Sequence, residues 1–345
     1  MKFAAAFLAI LAVATQVFAS NHTQAKYLFR PESSPVLWND KTPALYAFNE
    51  TQLGHGSWWS SSFITGTNGK QYVAIAHVLN VNNITYYRGS TLDLQTNGYQ
   101  QFVTRGNGTG EGPTLNITIN KNSFGSLSDD NISQLRAATN TDNVKFNLSW
   151  TSSSLILANG GTGAFLFGPV TSHEWGIPSS KTQGTIKING KTVTVDPAKS
   201  STWYDRQWEG AGGAITGNWT WFQLHVPGSE YKFSIWAVDN PATGQASRFA
   251  TVRDGDGAQL VLPVVWEPDY ARRYVSASSG RVYPLDWKLR IGELAGFRVK
   301  SVRADQEIVG SNALETAYEG FVTLKGVLDG HHVNGYGLVE MVSVS

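Results

Sequence analysis

Short alternating apolar segments, separated by Asn-Gly and Asp-Gly turns, recur along most of this 345-residue chain and leave little room for any fold but antiparallel strands. The segments fall at 72–78, 115–119, 185–188, 192–195, 231–238, 297–302 and 321–324. Between them stand Asn68-Gly69, Asn97-Gly98, Asn189-Gly190, Asp254-Gly255-Asp256-Gly257 and Asp329-Gly330. The stretch Ile186-Lys187-Ile188-Asn189-Gly190-Lys191-Thr192-Val193 reads as a tight hairpin, because Asn-Gly tolerates the positive φ angles of a type I′ turn. Helical patterning is scarce, and residues 129–138 form its best, short candidate. Many short strands with frequent turns predict an all-β chain of sandwiches or barrels. Residues 184–190 are weakly echoed at 320–326, as if two similar units each ended on a like strand, and the Gly-rich run at 210–213 reads as the linker between them.

The N-terminus carries Lys2, an apolar run over residues 3–17 and the small residues Ala19-Ser20, the pattern of a cleaved secretory signal peptide rather than a membrane anchor. No other run is long and apolar enough to span a bilayer. Eight N-x-S/T sequons, at Asn21, Asn49, Asn83, Asn107, Asn116, Asn131, Asn147 and Asn218, agree with entry into the secretory pathway and N-glycosylation. The chain has no cysteine, so disulfides cannot stabilise it and a large apolar core must. Thiol nucleophiles and zinc–thiolate sites are excluded as well. A net charge of +1 without a basic run argues against nucleic acid as a partner. Twelve tryptophans favour a small apolar or aromatic metabolite instead. Nucleotide-binding, nucleophile-elbow and zinc-protease motifs are absent from the sequence, and no cofactor or metal is implied.

The segment with the most chemistry is Trp203-Tyr204-Asp205-Arg206-Gln207-Trp208, followed by Trp219-Thr220-Trp221-Phe222-Gln223-Leu224-His225. Charges among large aromatics imply a buried ion pair or a lined site. On a strand, Trp219, Trp221, Gln223 and His225 share one face, and Thr220, Phe222 and Leu224 share the other. The first face mixes aromatic walls with hydrogen-bonding groups, as a ligand pocket does.

Taken in order, Gly56-Ser57-Trp58-Trp59 with Gly66, Gly69 and Lys70, His173-Glu174-Trp175-Gly176, the 184–191 hairpin, the two aromatic segments, and Tyr318-Glu319-Gly320 through Gly335-Tyr336-Gly337-Leu338-Val339-Glu340 resemble the tandem lipocalin-like family of carotenoid 1,2-hydratase and the AttH proteins. The leader and sequons look most like its secreted fungal branch, that of kievitone hydratase and the hetero-Diels–Alderases of tropolonic sesquiterpenes. Ser57, Ser60 and Gln207 depart from the acidic, Tyr and Glu residues common at those positions. The resemblance implies two tandem lipocalin-like antiparallel β-barrels, over 20–208 and 209–345 after a leader at 1–19. It implies cofactor-independent dehydration to a quinone methide, then hetero-Diels–Alder cyclisation of a tropolone–terpenoid. The alternatives are hydration of a prenyl double bond and a non-catalytic lipocalin-type carrier. The residues expected to carry the chemistry are Asp205, Arg206, His225 and Glu174. Trp58, Trp59, Trp175, Trp203, Tyr204, Trp221, Gln223 and Tyr336 are expected to line the pocket, with Glu340 on the Tyr336 face.

Overall fold

The computed structural model describes residues 25–81, 84–108, 112–210 and 217–344. The leader, Asn21, Asn83 and most of the Gly-rich linker lie outside them. Among the described residues the fold is all β, with 59% in strands and 4% helical. Fourteen strands between Gly56 and Glu209 make one curved sheet, and nine between Asn218 and Ser343 make a second, each wrapped into a barrel-like unit. The expected hairpin forms, pairing Ile186 with Val193 and placing Asn189 and Gly190 at φ 48° and 79°. The helix expected at 129–138 does not form. Residues Gln134–Asn140 are a strand instead, because Leu135, Ala137 and Thr139 alternate inward and that period suits a sheet between two neighbours.

Three apolar cores follow from the alternation. One fills the first barrel with Trp58, Phe124, Trp150, Trp175 and Tyr204. Another fills the second with Phe222, Phe233, Trp287 and Phe297. The third lies between the barrels, where Trp59, Phe63 and Trp203 meet Trp221, Trp236, Phe321 and Tyr336. Burying each such side chain is worth roughly 1.5–3 kcal/mol, so this interface is a core in its own right.

The segment that leads into the first barrel ties the units together. Phe29 inserts among Phe63, Phe321 and Tyr336. Glu32 pairs with Lys232 and Arg253 of the second barrel, while its N–H donates to Ser179 Oγ of the first at 2.9 Å. Among the described residues no helix is long and apolar enough to cross a membrane.

Candidate active site

Strand pairing places the site. In the first sheet Gly176, Asp205, Trp59, His77 and Arg88 are successive cross-strand partners on the strands Val170–Ile177, Ser201–Glu209, Gly56–Thr65, Gln71–Val81 and Ile84–Asp93. They form one rung across five strands. In the second sheet Trp236, Trp221, Glu340 and Glu319 form a matching rung across Lys232–Asn240, Asn218–His225, His331–Ser343 and Ala317–Leu328. The rungs face each other, and the Trp59 and Trp221 rings meet edge to face at 5.2 Å. A second rung in the first sheet carries Glu174, Gln207, Ser57 and Leu79. Phe167 reaches across to Trp219 and Trp236 at 5.1 and 5.4 Å, and Leu314 closes the opposite side. The cleft so enclosed has a cavity volume of about 50 Å³.

Its electrostatics centre on two carboxyls without a cation. Glu174 and Asp205 are both buried, and each has an oxygen with no hydrogen-bond partner, Glu174 Oε2 and Asp205 Oδ1. Burial, then mutual repulsion and the charge of Glu340, push the Glu174 carboxyl well above its usual range. The Trp236 N–H draws it partly back without closing a full hydrogen bond. Burial likewise raises Asp205, against the opposing hydrogen bond from Trp203 Nε1 to Oδ2 at 2.8 Å. Gly176 makes room for this carboxyl, since a Cβ there would collide with Asp205 Oδ1. Carboxyls raised in this way favour their protonated form, the state that a general acid requires.

Further along the same rung, Arg88 organises a second cluster. Its Nε–H donates to His77 Nδ1 at 2.9 Å, and Nη2 lies 3.4 Å from Glu319 and 3.5 Å from Glu340. Nη1 donates to the Leu314 carbonyl at 3.2 Å. Trp59 Nε1 and Trp219 Nε1 donate to Glu319 and Glu340 at 3.3 and 2.7 Å. Ligand atoms of His77, Glu319 and Glu340 lie within 4.8 Å of one another, a spacing a metal could use. The Arg88 guanidinium already contacts all three, so it is the cation of this cluster.

The expected residues divide sharply. Glu174, Asp205, Trp59 and Trp221 line the cleft. Arg206 does not. Alternation turns it into the first barrel, where Trp58 and Trp208 sandwich it at 4.4 and 5.0 Å. The carbonyls of Thr51, His55, Ser57 and Gln207 accept four of its five N–H groups, which holds it inside the barrel and away from the cleft. Trp58, Trp175 and Tyr204 share that barrel core. Trp203 does face the second barrel, and Gln223, His225 and Tyr336 face the first, but at the sealed end of the interface. There His225 stacks on Tyr336 at 5.1 Å against Phe63 and Trp203. Gln223 donates to Ser61 Oγ instead of facing the cleft.

Sequence reading passed over His77, Arg88 and Trp236 and set Ser57 and Gln207 aside as departures; all five line the cleft, together with Trp219 of the expected pocket face. A signal existed. His77 is the polar member of the face Val73, Ile75, His77, Leu79, and Arg88 follows two tyrosines inside a strand. Of the sequons, Asn131 is buried, accepting from Leu115 N–H and donating one Nδ2–H to the Pro113 carbonyl. Asn49, Asn107, Asn116 and Asn147 are exposed.

This arrangement has relatives. The chain is 47% identical to kievitone hydratase of Fusarium solani subsp. phaseoli over 345 residues, covering 99% of this chain and 98% of that protein. It is 37% identical to dehydratase asqC of Emericella nidulans, covering 92% and 95%. The crystal structure of kievitone hydratase from Nectria haematococca superposes with a TM-score of 0.89 at 46% identity, over 93% and 99% of the two chains. The AttH-like family profile matches residues 68–344, and the chain belongs to the AttH-like family.

Proposed function

We propose that this protein is a hydro-lyase that adds water to, or removes it from, a small prenylated or terpenoid aromatic metabolite, with Glu174 and Asp205 as the acid. The observation that carries the reading is a pair of buried carboxyls, each with an orphaned oxygen, among the residues that line an aromatic cleft. A carrier of apolar ligands gains nothing from such a pair, whereas proton transfer to carbon or to a leaving hydroxyl needs it. Relatives named as a hydratase and a dehydratase support the same chemistry.

In the hydration direction the Asp205/Glu174 pair protonates one alkene carbon. The cation forms at the more substituted neighbour, beside Trp59, Trp221 and Trp236, whose ring faces are worth about 0.5–2 kcal/mol each to a desolvated cation. Water then adds and returns a proton to the pair. Dehydration runs the same steps backwards, and a general acid of this kind contributes about 10²–10⁴-fold. Dehydration to a quinone methide and hetero-Diels–Alder closure, the sequence the family resemblance implies, begins with the same acid. We further propose that the protein enters the secretory pathway, loses residues 1–19 and carries N-glycans at exposed sequons.

Incubating the purified protein with kievitone in heavy-oxygen water tests the activity. A hydratase yields a labelled product about 20 mass units heavier. On a hydroxylated prenyl phenol, a dehydrating enzyme gives an unlabelled product about 18 units lighter. Tryptophan quenching by either compound without any product would mean a carrier and would overturn the reading.

A further inference from the structure

The cleft places a hydroxyl, an imidazole and a guanidinium in series. Ser57 Oγ lies 2.8 Å from His77 Nε2, and Arg88 Nε–H points at His77 Nδ1 from 2.9 Å. The order resembles a nucleophile with its base, but the hydrogens run the other way. A guanidinium Nε always carries its hydrogen, so Nδ1 must accept. The neutral ring therefore bears its hydrogen on Nε2 and donates it to Ser57 Oγ. His77 cannot take a proton from Ser57. Burial, and secondarily the Arg88 charge, also hold its pKa well below the usual histidine value, so the ring stays neutral.

Ser57 Oγ makes no other hydrogen bond among the described residues, so its own hydrogen is free for an acceptor in the cleft. Gln207 stands between Ser57 and Glu174 on one rung, while Asp205 sits on the next rung beside Trp59. The hydroxyl and the acid pair thus line the same cleft from three strands.

We propose that Ser57 holds the oxygen that is added or lost, and that His77, locked by Arg88 as an Nε2–H donor, is a positioning residue rather than an acid or base. This rests on the hydro-lyase reading and assigns the second half of its chemistry. On hydration the π pair forms the new C–H bond with the proton of the carboxyl pair. A lone pair of the Ser57-held water forms the C–O bond. The proton released by the oxonium goes back to the carboxylate, so acid, Ser57 and His77 all end as they began.

Two measurements on the full chain decide it. In ¹⁵N spectra, with His77 assigned by comparison with His77→Gln, the relay requires a bare Nδ1 and a protonated Nε2 from about pH 5.5 to about pH 8. An Nδ1–H tautomer or an imidazolium overturns it. With kievitone in deuterium oxide, Ser57→Ala should hydrate about 10- to 100-fold more slowly, the range expected for one lost hydrogen bond in a desolvated site. It should still exchange deuterium into recovered alkene, because the acid is intact. His77→Leu should behave like Ser57→Ala. His77→Gln, which also accepts from Arg88 and donates to Ser57, should recover to within about fivefold of wild type, against the 10²–10⁴ loss expected of a general acid or base. Undiminished hydration by Ser57→Ala, or a His77→Gln loss as deep as that of Asp205→Asn, overturns the proposal. Wild type that neither hydrates nor exchanges deuterium counts against the hydro-lyase reading, and the tautomer spectrum still decides the relay.

Discussion

The interface between the barrels has two ends built from the same strands, and they differ in one respect. At the open end Ser57, Trp59, Asp205 and Gln207 face Trp219, Trp221, Glu319 and Glu340, and several polar atoms lack partners. At the sealed end, further along the same strands, Phe63 and Trp203 face His225, Tyr336 and Phe321, with Phe29 inserted. Strand parity is identical throughout. A continuous face-to-face packing is thus a closed aromatic core at one end, where Gln223 Oε1 and His225 Nε2 are the unpartnered atoms, and a cleft with unpaired carboxyls at the other. The sealed end fixes the spacing that holds the two rungs of the open end together.

That contrast is broken most easily by paired substitutions. Asp205→Asn should lower turnover about 10²–10⁴-fold, as should Glu174→Gln, while His225→Gln at the sealed end stays within a few-fold of wild type; steady-state rates on kievitone check all three. Phe63→Ala should do the opposite and cost about 3–5 kcal/mol of stability by opening a cavity, read by denaturant unfolding, while the surviving folded fraction keeps its turnover.

The pH dependence sharpens the comparison. Glu174, Asp205 and Glu319 are raised in the folded state, chiefly by burial, among Glu340, Glu209 and Arg88. A carboxyl whose folded pKa is raised is fully stabilising below its unfolded value near 4 and loses that stability as pH climbs toward the folded pKa. Stability should therefore fall between about pH 5 and pH 8, by at most about 1.4 kcal/mol per pH unit for each group. Asp205→Asn should flatten the slope and melt higher at pH 8, an enzyme that gains stability as it loses activity. The smallest expected effect is at the surface. Glycopeptide mass spectrometry of material from the native host should find glycans at exposed sequons such as Asn49 and Asn147 and none at Asn131, whose amide is tied inside the fold.

Much of this was legible in the sequence. Alternation and Asn-Gly turns predicted strands and hairpins, and the parity of residues 219–225 correctly separated the barrel core from the inter-barrel face. Parity alone could not say where along that face the cleft opens, which is why His225 and Gln223 were expected in it. Arg206 misled because a charge among tryptophans suits either a site or a cation–π sandwich. Only the position of residues 51–57 reveals that backbone carbonyls surround it. His77, Arg88 and Glu319 belong to no local motif. They become a site through cross-strand register, which sets residues far apart in the chain on facing rungs.

The central claim is that the cleft holds a protonated carboxylic acid at neutral pH, and it can be measured without any substrate. Infrared difference spectra of wild type against Asp205→Asn and Glu174→Gln, with carboxyl-labelled Asp and Glu, report the protonation state of the pair directly. The account predicts a protonated carboxyl band at pH 7 that disappears in the variants and titrates well above the usual carboxylate range. Two ordinary carboxylates at pH 7, titrating near 4 like exposed side chains, would contradict it.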